Sequence, residues 1–129
     1  MRGSVRVPSL ILTLSIVSCL DPFAPPPGTY AFDPPSAYRV AWQQVENCSG
    51  LRGDFARVHW FAIPGAFFPC AEGNCQGIWA PPHRIYLSDF ARSDSAGNYF
   101  TVRHEILHDL LDGKGGHPPV FRTCGLLRA

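Results

Sequence analysis

Val102-Arg103-His104-Glu105-Ile106-Leu107-His108 decides how this chain is read, because it sets two histidines four residues apart with a carboxylate beside the first. On an α-helix, residues four apart stand one above the other on the same face, so the two imidazoles can grip one metal ion. The residues around the motif ask for that helix: Val102, Ile106, Leu107, Leu110 and Leu111 recur at the helical period and give the stretch from Tyr99 to Leu111 an apolar surface for burial. Gly113, Gly115 and Gly116 then close the helix and permit a sharp reversal. His117 follows immediately, and proline at the next position begins a further short helix, expected from Pro118 to Leu127, so His117 can be brought back toward the other two.

Upstream of this segment, Ser36 sits where an N-cap would, ahead of a first helix over residues 37–46 whose stripe is Ala37, Val40, Ala41 and Val45. Arg57 to Ile63 is β-branched and aromatic and stops at Pro64-Gly65, as a buried strand followed by a turn does. Ile78-Trp79-Ala80 and Arg84-Ile85-Tyr86-Leu87 are two more short strands, separated by Pro81-Pro82. The order is helix, strands, helix, helix, which makes the fold class α+β: an N-terminal helix, a short sheet that is mainly antiparallel or mixed, the histidine-bearing helix and a C-terminal helix.

The start of the chain has a different character. Met1 to Arg6 carries two arginines and no acid, and an apolar run follows from Leu10 to Val17 and stops at Cys19. That pattern is a signal peptide over residues 1–18, and the run is shorter than the roughly 20 apolar residues needed to cross a bilayer. Ile16-Val17-Ser18-Cys19 resembles the bacterial lipobox, which implies a lipid on Cys19 and an anchor on the extracytoplasmic side of an envelope membrane. Leu20, where an Asp would retain the protein, implies by the same resemblance the outer membrane if there is one. Residues 19–36 are rich in proline and read as an extended spacer, with Tyr30 and Phe32 able to dock if the arm packs instead; the remaining domain is 37–129.

Composition narrows the partners. Eleven Lys and Arg against ten Asp and Glu leave no electrostatic footprint for a phosphate backbone, so nucleic acid is excluded as an expected partner. Without Cys19, four cysteines remain in an exported chain of 129 residues, which calls for two disulfides. Three pairings are open; the favoured one joins Cys70 to Cys75 across a tight loop and Cys48 to Cys124 between the first and last helices. A four-cysteine zinc site is disfavoured because no C-x-x-C pair exists.

With His104-Glu105-x-x-His108 and His117-Pro118-Pro119-Val120-Phe121 in hand, the chain resembles the zincin metallopeptidases, and among them the minimal SprT/Spartan-like type with an H-x-x-x-F third-ligand helix. The likeness runs from His104 to Phe121. It implies that His104, His108 and His117 bind Zn²⁺, that Glu105 is the general base toward a zinc-bound water, and that Phe121 packs behind the site. A metzincin would need Gly and His where Leu111 and Lys114 stand, and a gluzincin a later glutamate, whereas no Glu follows Glu105. The DNA-repair role of SprT-like proteins is not carried over, since no basic region follows the motif.

Other residues weigh less. Asp112, two helical turns beyond His104, is a further candidate as a ligand or as a partner orienting a histidine, but the rise of roughly 12 Å along the axis is too far for one ion unless the helix unwinds, so His117 is preferred as the third ligand. Asp109 points about 100° away from His108, which suits a solvated or supporting role. His59 and His83 read as structural, and Tyr86 or Tyr99 is a candidate for the oxyanion without a choice between them. The expected function is zinc-dependent hydrolysis of a peptide or protein substrate lying along an edge strand, either Ile78 to Ala80 or Ile85 to Leu87. The alternative is a non-catalytic zinc-binding envelope lipoprotein that serves as a binding or assembly module.

Overall fold

The computed structural model describes residues 23–128, so the expected signal peptide, residues 1–18, and Cys19 lie outside the described residues. Four strands form a mixed sheet in the order β1 (Tyr30–Ala31), β2 (His59–Ile63), β6 (Arg84–Ser88), β5 (Gly77–Ala80). β2 and β6 run parallel, and β1 and β5 are antiparallel to their neighbours, which confirms an α+β domain with a mixed sheet. Between β2 and β5 the chain makes a separate two-stranded hairpin, β3 (Phe68–Cys70) and β4 (Gly73–Cys75). The helices are α1 (Ser36–Ser49), the short α2 (Asp89–Arg92), α3 (Phe100–Leu110) and α4 (Val120–Thr123).

Side chains alternate across the strands with period two and so build two apolar layers. Trp60, Ile85 and Leu87 point toward α1 and α3, where Tyr38, Trp42, Val45, Val102, Ile106 and Leu107 complete the main core. Ile63, Tyr86 and Ala80 point the other way and pack with Phe68, Phe61 and Phe23 under the hairpin. Burying an aliphatic or aromatic side chain in such layers stabilises the fold by about 1.5–3 kcal/mol each, which is why α3 is fixed against the sheet despite its polar face. No helix among the described residues is long and apolar enough to cross a membrane.

Several element limits differ from the sequence expectation. Ser36 is the first residue of α1, and Pro35 is the N-cap; Tyr38 N–H bonds the Pro35 carbonyl at 2.9 Å, and no side chain caps the helix. The strand expected from Arg57 begins at His59, because Phe55–Arg57 is a turn of 3₁₀ helix whose N-cap Asp54 accepts from Ala56 N–H. The last helix is only Val120–Thr123, since the chain turns after Cys124 and Leu126 N–H returns to the Phe121 carbonyl at 2.8 Å.

The proline-rich arm is also placed. From Phe23 to Pro35 it packs on the domain instead of standing off as a spacer: Tyr30–Ala31 pairs with Phe61–Ala62, Phe32 lies against Tyr38 and Trp60, and Phe23 lies against Phe68 and Tyr86. Extended backbone is what proline favours, and it is also what an edge strand requires. The cysteines form two bridges, Cys48–Cys124 and Cys70–Cys75, the pairs favoured from the sequence.

Candidate metal centre

α3 carries His104 and His108 one turn apart, and its C-terminal exit delivers His117. The helix is closed by Leu111, after which Asp112 and Gly113 both take left-handed φ values of 53° and 66°. Gly113 is required there on two counts. Its φ disfavours a side chain, and a Cβ would lie 2.2 Å from Trp79 Cζ3, so the indole of β5 occupies the space. The reversal places His117 Nε2 3.0 Å from His104 Nε2 and 3.2 Å from His108 Nε2. These three residues form a cluster able to hold a metal ion.

The protonation state suits ligation. His104 Nδ1 lies 2.7 Å from the Leu126 carbonyl, which can only accept, so Nδ1 carries the proton and Nε2 presents a lone pair. Burial holds the His104 pKa below the usual histidine range and pushes His108 down to about 3, with the neighbouring histidine charges acting in the same direction. Both imidazoles are therefore neutral at physiological pH. Phe121 is fully buried beneath all three rings, with centroids 4.9, 4.6 and 4.8 Å from those of His104, His108 and His117. The residue that the resemblance put behind the site is its floor.

Glu105 sits beside the cluster and is almost wholly covered. Burial raises its pKa to about 8, against the lowering effect of a hydrogen bond from the Trp79 backbone N–H, and the Glu72 charge adds to the rise. Its cover is β5: a Cβ on Gly77 would lie 2.8 Å from Glu105 Oε1, so only a glycine lets the strand pass this closely. A cleft of about 480 Å³ opens over the histidines and Glu105, with Phe23, Glu72, Ile78, Trp79 and Gly116 in its walls. A shallower extension past Glu105 is lined by Phe67, Asn74, Gln76, Phe100, Thr101 and Arg128.

The remaining sequence candidates fall elsewhere. Asp112 is exposed and outside the metal cluster. Asp109 is buried, and one of its oxygens accepts from Trp79 Nε1 at 2.8 Å and meets His83 Nδ1 at 3.0 Å; it fastens β5 and the following turn to α3 and supports none of the three clustered histidines by a hydrogen bond. His83 is thus structural, and His59 is exposed on β2, away from the cleft. Tyr86 is packed on Phe61 in the opposite apolar layer, Tyr99 packs on Tyr38, and neither lines the cleft. The second grouping of potential ligands, Cys70, Glu72 and Cys75, has its two sulfurs taken by the disulfide.

Sequence reasoning missed Glu72, the Leu126 carbonyl and the close pass of Gly77. Only the last left a signal, an isolated glycine at the start of a strand pattern, which marks a close backbone approach. No protein-family model matches the chain, and no curated protein or solved structure matches it.

Proposed function

We propose that this chain is a zinc-dependent peptidase of the zincin type, held on the extracytoplasmic face of an envelope membrane, the outer one where the host has two, by a lipid on Cys19. The observation that carries the reading is the convergence of three imidazoles on one point, with a carboxyl group beside them in a cleft. Ring nitrogens bound tetrahedrally at 2.0–2.1 Å stand about 3.3 Å apart, and the measured separations of 3.0 and 3.2 Å fit that requirement. His104, His108 and His117 would hold the ion. Three protein ligands would leave a four-coordinate ion one place for water or substrate, which distinguishes a catalytic from a closed structural site.

Zinc in such a site supplies Lewis acidity, polarising a carbonyl and acidifying water. The chain's own residues supply the rest. A carboxyl with a pKa near neutrality can both take up and return a proton at physiological pH, and burial puts Glu105 in that range. The Leu126 carbonyl fixes the His104 tautomer, and Phe121 fixes the plane of the rings.

β5 is the edge strand, while β6 is internal, so of the two strands that might take an extended peptide only Gly77–Ala80 has a free side. Ser88 N–H bonds the Gln76 carbonyl, which sets the ladder so that Gln76, Ile78 and Ala80 face β6, while the backbone groups of Gly77 and Trp79 face away from it, the Trp79 N–H being already bonded to Glu105. A substrate backbone paired there would run past Glu105.

The deciding experiment uses the mature, oxidised protein loaded with zinc and a mixed peptide library read by mass spectrometry. Wild type should cleave, and Glu105→Gln should lose at least about a hundredfold in rate while keeping its zinc. If both proteins bind zinc and neither cleaves, the peptidase reading is wrong and a non-catalytic binding or assembly module is what remains.

A further inference from the structure

Resting on the peptidase reading, we infer that Glu72 selects the substrate by positive charge, receiving an ammonium or guanidinium group placed next to the bond to be cut. Glu72 stands on the two-residue tip of the β3–β4 hairpin, where Cys70 pairs with Gly73 and the Cys70–Cys75 bridge closes the base. Phe68, 2 % exposed, roots the hairpin in the second apolar layer, so the tip is held in place and not left as a loose loop. From there Glu72 borders both parts of the cleft, the one over the histidines and the one leading to Arg128.

Three observations separate this role from simpler ones. Glu72 is not among the residues whose ligand atoms lie within 4.8 Å of one another around the three histidines, so it faces the metal position without belonging to it. Among the described residues its one hydrogen-bond-length contact is with Sγ of Cys75, at 3.6 Å, and a disulfide sulfur has no hydrogen to donate. No ion pair to Glu72 occurs among the described residues, and it is exposed, so its charge is available to a ligand. Glu105, the other acid in the cleft, lies covered beneath Gly77.

The charge balance gives the consequence. Histidine ligands bring no negative charge to a divalent ion, so an ion held by these three would leave a net positive site, which repels a cationic side chain nearby. A partner carboxylate across the cleft reverses that discrimination. Among the described residues the one Lys or Arg lining the cleft, Arg128, lies over the Phe100 ring at 4.9 Å in the far extension, so no described Lys or Arg lines the near part.

The test reads binding, with zinc in place and no turnover. Three zinc-chelating probes are titrated calorimetrically into wild type and Glu72→Gln: N-acetyl-norleucine hydroxamate, N-acetyl-arginine hydroxamate and norleucine hydroxamate with its amine free. At least one cationic probe should bind wild type about tenfold more tightly than the neutral one, and Glu72→Gln should remove that advantage while leaving the neutral probe within about twofold. An advantage confined to the arginine probe assigns a basic side chain; one confined to the free amine assigns the N-terminus of the substrate. Equal binding of all three by wild type, or an advantage that survives Glu72→Gln, overturns the inference. So does a Glu72→Gln protein that loses zinc and all three probes alike, because Glu72 would then only balance the metal charge. Wild type that discriminates the probes through Glu72 yet cleaves no peptide would remove the peptidase reading alone, and a protein that takes up no zinc removes both.

Discussion

Gly113→Ala and Gly116→Ala form a matched pair that isolates the contact between the histidine loop and the edge strand. Both glycines have left-handed φ, 66° and 61°, so an alanine suffers the same backbone penalty of about 1–2 kcal/mol at either position, and the difference between the variants cancels it. What differs is the space. Nothing lies within 4 Å of a Cβ at Gly116, whereas at Gly113 three indole carbons lie at 2.2, 2.7 and 3.0 Å. Trp79 cannot swing aside freely, because its Nε1 is bonded to the buried Asp109. Either the indole or the loop must move, at an overpacking cost of about 1–3 kcal/mol. Urea denaturation of the zinc-free, oxidised proteins should therefore place Gly113→Ala below Gly116→Ala by about that amount. Because the same loop delivers His117, zinc affinity should fall further in Gly113→Ala as well. Equal midpoints for the two variants would show that the loop and the indole are not packed together, and the account of how His117 reaches the cluster would fail.

Four further outcomes are expected. His117→Ala should lose most zinc affinity in a competitive titration while Asp112→Asn binds within about tenfold of wild type; the reverse order would exclude the three-histidine site. Glu105 has a folded pKa raised to about 8, so the folded state holds a proton that the unfolded state has released. The stability this gives the metal-free protein is present at low pH and lost as pH rises through 8; between pH 6.5 and 8 it should fall by about 2 kcal/mol in wild type and not in Glu105→Gln, and parallel melting curves for the two would refute it. The bridges span 76 and 5 residues, so on chain entropy alone replacing Cys48 and Cys124 by serine should cost about 4.5 kcal/mol and replacing Cys70 and Cys75 about 2; the opposite ranking in denaturant would count against the entropic account. Labelled fatty acid should enter the wild-type chain in cells and not Cys19→Ala, and equal labelling of both would remove the lipid anchor.

What the sequence disclosed and what it concealed follow from the range of the interactions. α3 was legible because its apolar period, its two histidines and its terminal glycines are all local, and His117 because the glycines just before it permit the chain to reverse toward the helix. The β3–β4 hairpin was not. Phe68-Pro69-Cys70 and Gly73-Asn74-Cys75 show neither alternation nor β-branched residues, and only the disulfide and the burial of Phe68 hold them as strands. Glu72 was hidden with them, since a surface glutamate on a turn carries no mark of what it faces. The arm was misjudged for the opposite reason: its prolines do give an extended chain, but Tyr30 pairs with Ala62, which lies 32 positions away, and proline content says nothing about such a partner. Asp109 was expected to point away from His108 in a solvated or supporting role; it is buried, and its contacts, with Trp79 and His83 on the sheet side, were not legible.

The Cys48–Cys124 bridge ties the histidine cluster to the redox state of its surroundings. Cys124 immediately follows α4, which supplies Phe121, and two residues later the Leu126 carbonyl holds His104 Nδ1. α4 is a single turn, too short to be stable by itself, since isolated helices below about 12 residues are marginal. Its position depends on Phe121 in the core and on the covalent link to Cys48 at the end of α1. Reduction of that link frees the segment that forms the floor of the histidine cluster and fixes one tautomer, so metal affinity should fall even where the sheet and α3 stay folded. In a reducing compartment the ligands would all be present, yet the surface that orients them would be held by packing alone. The geometry at His104, His108 and His117 therefore depends on oxidation at a bond formed outside the cluster, which is the condition an exported protein meets.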